Sequence, residues 1–420
     1  MQTNKTDNKK VVVIGAGIVG ASAAIHLQRD GYDVVLIDKE GPAGGTSYGN
    51  GGILVSSGVV PINSPGLIKN APGMLLRRDS PLFMHWPYLP RMLPWLIRYM
   101  RRANARDARK VADALAPLLH NSIGQHRALA KGTGAEKWIH DSDYVFVYDN
   151  RAAYEKDAFA WSLRREKGFE WDEMDALAFG EYEPMFAGKD KFAIRLGGHG
   201  RVSDPEQYVI DLAASVTQQG GELIIGEVEE IVHQQGKLGG VKTGEGMIQC
   251  DKVVLAAGVW SKRLAEKLGA KVPMETERGY HIELVNPSAM PGCSMMLAAG
   301  KFVITPMDGR IRCAGIVEFG GLETPANQAP IELLKKHVRE TLPELKYDRI
   351  DEWMGHRPAP SDSIPFIGPL DNVPDVFAAF GHHHVGLGSG PRTGQLVADM
   401  VAGRETGIDT TPYRVGRFTH

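Results

Sequence analysis

The segment from residue 11 to residue 40 restricts the fold more than any other part of the chain. It reads VVVIGAGIVGASAAIHL and, after five further residues, DVVLIDKE. Residues 11–14 form a β-branched run, which is typical of a strand buried on both faces. Gly15, Gly17 and Gly20 then give the spacing GxGxxG, and Asp38 ends a second short strand about 20 residues later. The pattern predicts a strand, a tight glycine turn, a helix and a second strand, the opening unit of a parallel α/β fold.

Each part of this unit has a role in binding a dinucleotide. Gly15 makes the tight turn, Gly17 lets a pyrophosphate approach the backbone, and Gly20 lets helix and strand pack closely. The helix N-terminus stabilises phosphate charge, and Asp38 can accept hydrogen bonds from ribose hydroxyls. The alternative is a secretory signal peptide, because two lysines precede the apolar run and ASAA follows it. Cleavage would destroy the whole unit, so the pattern favours a dinucleotide site.

Composition and charge narrow the class of protein. The chain has 420 residues, which predicts two domains. Its net charge of −2 gives no reason to expect a nucleic-acid partner. The cysteines, Cys250, Cys293 and Cys313, are scattered, so neither a disulfide framework nor a cysteine metal site is expected, and a reducing, cytoplasmic compartment fits. The sequence contains no run of ~18 consecutive apolar residues, so no membrane-spanning helix is expected.

The residues after the fingerprint favour FAD over a nicotinamide cofactor. A nicotinamide-binding domain should continue with further strand–helix units. Residues 41–73 are instead rich in Gly, Ser, Pro and Asn, which indicates a loop, and we interpret it as chain running along an extended ligand. TSYGNGG, at residues 46–52, offers hydroxyls, an amide and bare backbone N–H groups. Residues 221–232 and 251–261 then supply the missing strands of the sheet.

The C-terminal part carries a second group of motifs. Residues 377–380 predict a strand, residues 381–390 a glycine-rich turn, and the following residues a helix that ends near Gly403. Pro391 fits the first helical turn, and Ser389 could cap it. The positive end of such a helix would face any ligand held in the turn. Upstream, the planar guanidinium of Arg357, in a GHRP motif, could hold a carboxylate through two parallel hydrogen bonds.

These motifs together resemble one family. The fingerprint, TSYGNGG, VVLAAGVWS, GHRPAPSDSIPFIGPL and FGHHHVGLGSG occur in the order expected of the D-amino-acid oxidase-like flavoproteins, most similar to their bacterial D-amino-acid dehydrogenase branch. The resemblance implies an α/β fold with an FAD-binding Rossmann-type domain, formed by residues 1–75, 196–270 and 346–420. It also implies an α+β substrate domain of antiparallel sheet plus helices, formed by residues 76–195 and 271–345.

The resemblance also implies where FAD lies. Its adenine would lie at the GxGxxG end and its flavin between the domains, bound non-covalently because no cysteine falls beside the ring. The predicted FAD contacts are Gly15, Gly17, Ile18, Val19, Gly20, Asp38, Lys39, Thr46, Ser47, Asn50, Gly51, Gly52, Val228, Ala257, Gly258, Trp260, Gly386, Leu387 and Gly388.

The same resemblance implies the substrate contacts. Arg357 would bind the substrate carboxylate, Tyr280 would hydrogen-bond it, and His382 would line the pocket. Apart from the resemblance, Arg278 could be a second anion contact. His382 to His384 also look like a metal site, but neighbouring residues point in different directions, so no metal is expected. The implied reaction oxidises a D-amino acid to its imine by hydride transfer from Cα to flavin N5. Hydrolysis then gives the 2-oxo acid and ammonia, and the electrons pass to a quinone or O₂.

Several alternatives stay open at this point. The substrate could be an N-methylated or cyclic amino acid such as sarcosine, proline or hydroxyproline. The chain could be an NAD-linked dehydrogenase, or a flavin-binding subunit that serves assembly or electron relay. Residues 83–102 mix aromatic side chains with arginines, which suits either peripheral contact with the inner face of a membrane or a packed domain surface.

Overall fold

The computed structural model describes residues 9–65, 81–234 and 237–419. The last part of the predicted loop, residues 66–73, and the predicted domain boundary at residue 75 lie outside these ranges.

Nineteen strands and eleven α-helices fall within the described residues. The strands are β1 Lys10–Ile14, β2 Asp33–Asp38, β3 Ile53–Leu54, β4 Leu82–Met84, β5 Ile139–Tyr148, β6 Asp172–Met174, β7 Phe192–Val202, β8 Glu222–Ile225, β9 Val228–Gln234, β10 Lys237–Thr243, β11 Gly246–Ile248, β12 Lys252–Leu255, β13 Met274–Val285, β14 Ser294–Leu297, β15 Phe302–Met307, β16 Arg310–Phe319, β17 Arg349–Pro360, β18 Phe366–Leu370 and β19 Val373–Phe380. The helices are α1 Ile18–Arg29, α2 Leu89–Arg101, α3 Ala105–Leu119, α4 Ser122–Ala130, α5 Arg151–Lys156, α6 Ala158–Glu166, α7 Ala176–Tyr182, α8 Pro205–Gln218, α9 Ser261–Lys267, α10 Gln328–Thr341 and α11 Gly386–Val401.

A parallel sheet forms the first layer, as the N-terminal unit predicts. Its strand order is β18-β19-β12-β1-β2-β8, and only the edge strand β18 runs antiparallel. The central strand β1 pairs in parallel with β2 on one side and β12 on the other. Its apolar residues are buried, because α1, α8 and α11 cover one face and the three-stranded sheet β11-β10-β9 lies by the other.

A ten-stranded sheet forms the second layer. Eight of its strands lie in the order β17-β13-β16-β15-β14-β5-β7-β3, with β4 beside β16 and β6 beside β7. Most neighbours are antiparallel, but the pairs β14–β5 and β16–β4 are parallel, so the sheet is mixed rather than purely antiparallel. The hairpin predicted around Asp308 and Gly309 joins β15 to β16, and Gly309 adopts φ +68°.

The sheets divide the chain at different residues from those predicted. Residue 196 lies inside β7, and β17 belongs to the ten-stranded sheet although residues 346–420 were expected in the FAD-binding domain. The division into two domains stays a prediction. Because β17 belongs to the ten-stranded sheet, the third segment of the FAD-binding domain would begin after β17.

Helix α11 begins five residues before the predicted position at Pro391. A 3-10 turn, His383–Val385, leads directly into Gly386, and the Ser389 hydroxyl donates to the Val385 carbonyl instead of capping the helix. Glycine lets this helix pack closely against α1, because a Cβ at Gly390 would lie 2.9 Å from Ile18 Cγ1.

The proline inside α11 leaves one carbonyl without its helical partner. Pro391 has no N–H to donate to the Leu387 carbonyl four residues earlier. His126 of α4 takes this acceptor instead, with Nε2 at 2.9 Å from the Leu387 oxygen. The helix therefore tolerates its proline because a side chain from another element replaces the missing bond.

Candidate active site

A cavity of about 1390 Å³ lies between the parallel sheet and the ten-stranded sheet. Its lining includes the carboxyl ends of β1, β2 and β19 and one face of β13, β16 and β17. Ligand pockets in proteins usually measure about 300–1,000 Å³. This cavity is therefore large enough for an extended ligand together with a second, smaller molecule.

The glycine fingerprint lies at one end of the cavity. Gly15 adopts φ +108°, and a Cβ at Gly20 would lie 1.8 Å from the Gly15 carbonyl oxygen, so only glycine permits this helix–strand approach. Gly17 is the N-cap residue of α1 and has no side chain that could cap the helix. The first turn of α1 contains no acidic residue. The Ile18 N–H donates to Ser47 Oγ at 2.9 Å. The remaining first-turn N–H groups form a cradle that fits a phosphate.

Asp38 follows this cradle at the end of β2. Its Oδ2 accepts from the Ala16 N–H at 2.8 Å, and its Oδ1 accepts from the Glu40 N–H at 2.9 Å. Each oxygen keeps a further lone pair, so the carboxylate can still accept a ribose hydroxyl. The Lys39 ammonium lies 4.1 Å from the centre of the Trp260 ring, and both residues line the cavity.

The predicted cofactor residues lie along this cavity with two exceptions. All but Gly20 and Gly52 line it. Gly20 packs against Gly15, and the Gly52 N–H donates to Asn50 Oδ1 at 2.8 Å. Gly52 also needs its positive φ of +68°, and a Cβ there would lie 2.7 Å from Met307 Cε. These two glycines shape the backbone rather than facing the ligand.

The N-terminus of α11 lies at the other end of the cavity. Gly386, Leu387 and Gly388 line the cavity in the first turn of α11, which has neither a side-chain cap nor an acidic residue. The helix dipole therefore presents positive potential to the cavity, which fits a flavin that gains negative charge on reduction. His382 also lines the cavity, as predicted, and its Nε2 lies 3.0 Å from Thr393 Oγ1.

The histidines near this end do not form a metal site. Burial lowers the pKa of His382 and of His384 to about 3, so both are neutral at pH 7. His383 points to a different partner, Glu277, with 2.8 Å between Nε2 and Oε2. Among the described residues, no group of three or more His, Cys, Asp or Glu side chains is placed to hold a metal ion.

Arg357 lies in β17, near the end of the strand. Its guanidinium crosses the neighbouring strand at Gly279, where a Cβ would lie 2.4 Å from Nη2. Its Nη1 donates to Glu277 Oε1 at 2.8 Å. Within the described residues, Nε and Nη2 have no hydrogen-bond partner, and Arg357 lines the cavity. These two donors form the edge of a guanidinium that can bind a carboxylate through parallel hydrogen bonds.

The buried carboxylate of Glu277 is a site residue that the sequence analysis misses. The side chain is 2% exposed and bridges Arg357 and His383. Burial by itself would raise the pKa of Glu277, but attraction and hydrogen bonding from His383 and Arg357 outweigh it and lower the pKa to about 2. Glu277 faces Arg357 across the β13–β17 pair, 80 residues apart in the chain. No local sequence pattern reveals such a pairing.

The structure places Tyr280 and Arg278 away from the cavity, which does not fit the substrate contacts predicted for them. Neither residue lines the cavity; both lie on the opposite face of β13 from Glu277 and Gly279. The Tyr280 hydroxyl donates to Glu318 and accepts from the backbone N–H of Asn327.

Arg278 is fully buried in a pocket of its own. Its guanidinium pairs with Glu318 at 3.3 Å. It also donates to four backbone carbonyls, those of Gly320, Gly321, Thr324 and Pro325. All of its donors are thus used in the structure, and none is left for a substrate anion.

Trp353 lines the cavity beside Arg357, and no sequence motif predicts it there. Trp353 lies across two glycines, since a Cβ at Gly49 or Gly355 would come within 2.1 Å or 2.0 Å of its ring. The ring also stacks on His281, with 5.0 Å between the ring centres. This aromatic surface gives the cavity a rigid wall next to the guanidinium.

Comparison with known proteins identifies the family. The profile described as FAD dependent oxidoreductase (DAO) matches residues 10–400. The chain belongs to the DAO family of FAD-dependent oxidoreductases. Its cofactor is therefore FAD, and the alternative of an NAD-linked dehydrogenase is wrong. In the described part of the chain, none of Cys250, Cys293 and Cys313 lines the cavity, which agrees with non-covalent binding of FAD.

Several proteins similar to this chain carry the names of amino-acid oxidases or dehydrogenases. A D-amino-acid oxidase of Bradyrhizobium diazoefficiens is 37% identical over 420 residues, covering 98% of this chain and 99% of the relative. A D-amino acid dehydrogenase of the same organism is 26% identical over 419 residues, with coverage of 98% and 99%. Among solved structures, glycine oxidase from Geobacillus kaustophilus superposes with a TM-score of 0.74 at 20% identity, covering 98% and 99% of the two chains. L-proline dehydrogenase from P. horikoshii gives 0.73 at 18%, covering 98% of each. These last two likenesses show the shared fold.

Helix α2 forms part of the cavity rim and carries exposed apolar side chains. Leu96, Tyr99 and Met100 line the cavity, whereas Leu93 and Ile97 face outward. The helix is continuous through Pro94. Within residues 9–65, 81–234 and 237–419, no helix has both the length and the apolar character needed to cross a bilayer. Peripheral membrane contact through residues 83–102 stays a prediction.

Proposed function

We propose that this flavoenzyme catalyses the oxidative deamination of a D-amino acid to the 2-oxo acid and ammonia. The observation that carries the proposal is the free Nε–Nη2 edge of Arg357, which opens into the cavity near the N-terminus of α11. A guanidinium in this position suits the carboxylate of an amino acid. The D configuration is supported by the 37% identical relative, whose name is D-amino-acid oxidase.

The residues of the chain bind and orient the substrate. Arg357 would hold the carboxylate, and Glu277 fixes the guanidinium from behind through its 2.8 Å bond to Nη1. His382 and His384 are neutral at pH 7, so they add no positive charge that would oppose binding of the amine. Bound FAD supplies the two-electron oxidant for the C–N bond. Water then hydrolyses the imine, so each turnover releases one 2-oxo acid and one ammonia and passes two electrons to an acceptor.

The test is anaerobic reduction of the yellow holoenzyme by a panel of amino acids. We expect D-amino acids to bleach the flavin absorbance faster than their L enantiomers, glycine, sarcosine, L-proline or hydroxyproline. Faster bleaching by sarcosine or a cyclic amino acid would instead support the second candidate, an N-methyl or cyclic amino acid dehydrogenase. No bleaching by any D-amino acid would contradict the proposal.

The same sample can identify the electron acceptor. After anaerobic reduction, either O₂ or a soluble quinone is added and the return of the yellow absorbance is timed. Fast recovery with O₂ indicates an oxidase, and fast recovery only with the quinone indicates a dehydrogenase. Turnover by the isolated chain would also exclude a role restricted to assembly or relay.

A further inference from the structure

The guanidinium of Arg164 is buried beside the cavity without a hydrogen-bond or ion-pair partner among the described residues. The residue lies in α6, is 8% exposed and lines the cavity. Within the described residues, the side chain makes no hydrogen bond and no ion pair, and its Nε atom is buried and unsatisfied. Buried arginines are almost always paired, because an isolated charge is costly to remove from water. This residue therefore needs an explanation.

Aromatic rings compensate only part of this charge. The centre of the guanidinium lies 4.6 Å from the ring centre of Phe146 and 4.6 Å from that of Trp161. Asp157 is the one carboxylate that influences the pKa of Arg164, and it accepts a hydrogen bond from the Tyr148 hydroxyl at 3.1 Å instead of pairing with the guanidinium. Burial lowers the pKa of Arg164, yet an arginine remains charged at pH 7. A cation without an ion-pair partner within the described residues thus borders the cavity.

A second polar group near Arg164 also lacks a partner. The Tyr144 hydroxyl makes no hydrogen bond within the described residues, and Tyr144 lines the cavity. The centre of the Tyr144 ring lies 4.9 Å from that of Phe146, the ring on which the Arg164 guanidinium packs, so the two residues are neighbours. Such a cluster of unused donors is what an anionic ligand group requires.

We propose that Arg164 and Tyr144 form a second carboxylate subsite, so that the preferred substrate is an amino acid with a carboxylate side chain. The inference rests on the proposed function, in which Arg357 holds the α-carboxylate. Arg164 lines the same cavity, and the apolar side chains of Val55 and Met296 also line it and suit the methylene groups of the substrate. The substrate class is therefore a dicarboxylic D-amino acid.

Binding of unreactive acids to the holoenzyme tests the subsite without turnover. The probes are succinate, glutarate and adipate, each compared with the monocarboxylate of equal chain length, and the readout is the perturbation of the flavin spectrum. We expect the best dicarboxylate to bind about 10- to 100-fold more tightly than its monocarboxylate, because a hydrogen-bonded charge pair contributes on this scale. Equal binding by the wild-type protein would overturn the proposal.

Variants assign the effect to one residue. Arg164→Gln should abolish the preference for the dicarboxylate, and Arg164→Lys, which keeps the charge, should retain part of it. Arg165→Gln is the matched control, because Arg165 is the next residue of α6 and is exposed. A preference that survives in Arg164→Gln would overturn the proposal, and the Lys variant decides the question if the Gln variant does not fold.

Anaerobic reduction separates this inference from the proposed function. We expect D-aspartate or D-glutamate to reduce the flavin faster than D-alanine or D-valine. Reduction by neutral D-amino acids alone would overturn the second subsite and leave the deaminase function intact. If no D-amino acid reduces the flavin, the proposed function fails, and the binding ratio alone decides whether Arg164 receives a carboxylate.

Discussion

Replacing Arg357 by alanine should weaken substrate binding far more than replacing it by lysine. The structure leaves Nε and Nη2 free for two parallel hydrogen bonds to a carboxylate. Hydrogen bonds to charged groups contribute about 1.5–3 kcal/mol each, so losing both should raise the substrate Kd by about 10²- to 10⁴-fold.

The lysine variant should lie between these extremes for a reason that the structure supplies. Glu277 is buried 2.8 Å from Nη1 and would draw a single ammonium towards itself. A lysine keeps the positive charge but cannot serve Glu277 and hold a substrate carboxylate in the fork geometry at once. We expect a loss of about 10- to 100-fold, corresponding to one hydrogen bond to a charged group.

Anaerobic stopped-flow reduction gives the substrate Kd and the limiting rate separately. Arg349→Ala is the matched control, because Arg349 begins the same strand and its exposed side chain pairs with Asp351. This variant should keep the wild-type Kd. If Arg357→Ala retains FAD and binds substrate within about threefold of wild type, the assignment of the carboxylate to Arg357 is refuted.

Three further predictions concern stability, the cofactor and the surface. The pKa of Glu277 falls from 4.5 to about 2 on folding, so its ionised form contributes about 3 kcal/mol above pH 4.5, and this is lost as the pH falls towards 2. The unfolding free energy of wild type minus that of Glu277→Gln, followed by urea titration, should therefore shrink as the solution is acidified; a pH-independent difference would contradict the lowered pKa. Gly20→Ala should release FAD on gel filtration, because a Cβ there would lie 1.8 Å from a carbonyl oxygen, whereas Gly197→Ala, with 3.7 Å to its nearest neighbour, should retain it. If residues 83–102 contact membranes, replacing the exposed Leu93 and Ile97 by serine should abolish co-sedimentation with anionic vesicles; equal sedimentation of both proteins would exclude these side chains as the contact.

Local sequence signals predict the first half of the site well. The fingerprint from residue 11 to residue 38 involves neighbours in the chain, so spacing alone predicts β1, α1 and β2. The start of α11 could not be predicted in this way. Glycines have low helix propensity, so their density predicts a turn, whereas the close packing of Gly390 against Ile18 on α1 is not visible in the sequence.

The substrate end depends on strand pairing, which the sequence does not reveal. The GHRP motif indicates Arg357. Glu277 becomes its partner only because β13 and β17 pair so that the two residues lie opposite each other. The motif does not reveal that Tyr280 lies on the side of β13 away from the cavity, because successive residues of a strand face opposite sides and only the strand's placement decides which side is which. Arg164 gives no signal in the sequence, because its isolation results from the packing of α6 against the rings of β5 and its own helix.

The hydrogen bond from His126 to the Leu387 carbonyl joins the first turn of α11 to a distant part of the chain. Nδ1 of this histidine lies 2.8 Å from the Tyr208 hydroxyl in α8, and burial lowers the pKa of His126 to about 4, which keeps it neutral. The three residues form a relay from the back of the parallel sheet to the first turn of α11. A change in these bonds would shift the backbone amides in the first turn of α11. If the flavin lies against this turn, as predicted, substitutions that never enter the cavity should change its midpoint potential and leave the choice of substrate untouched.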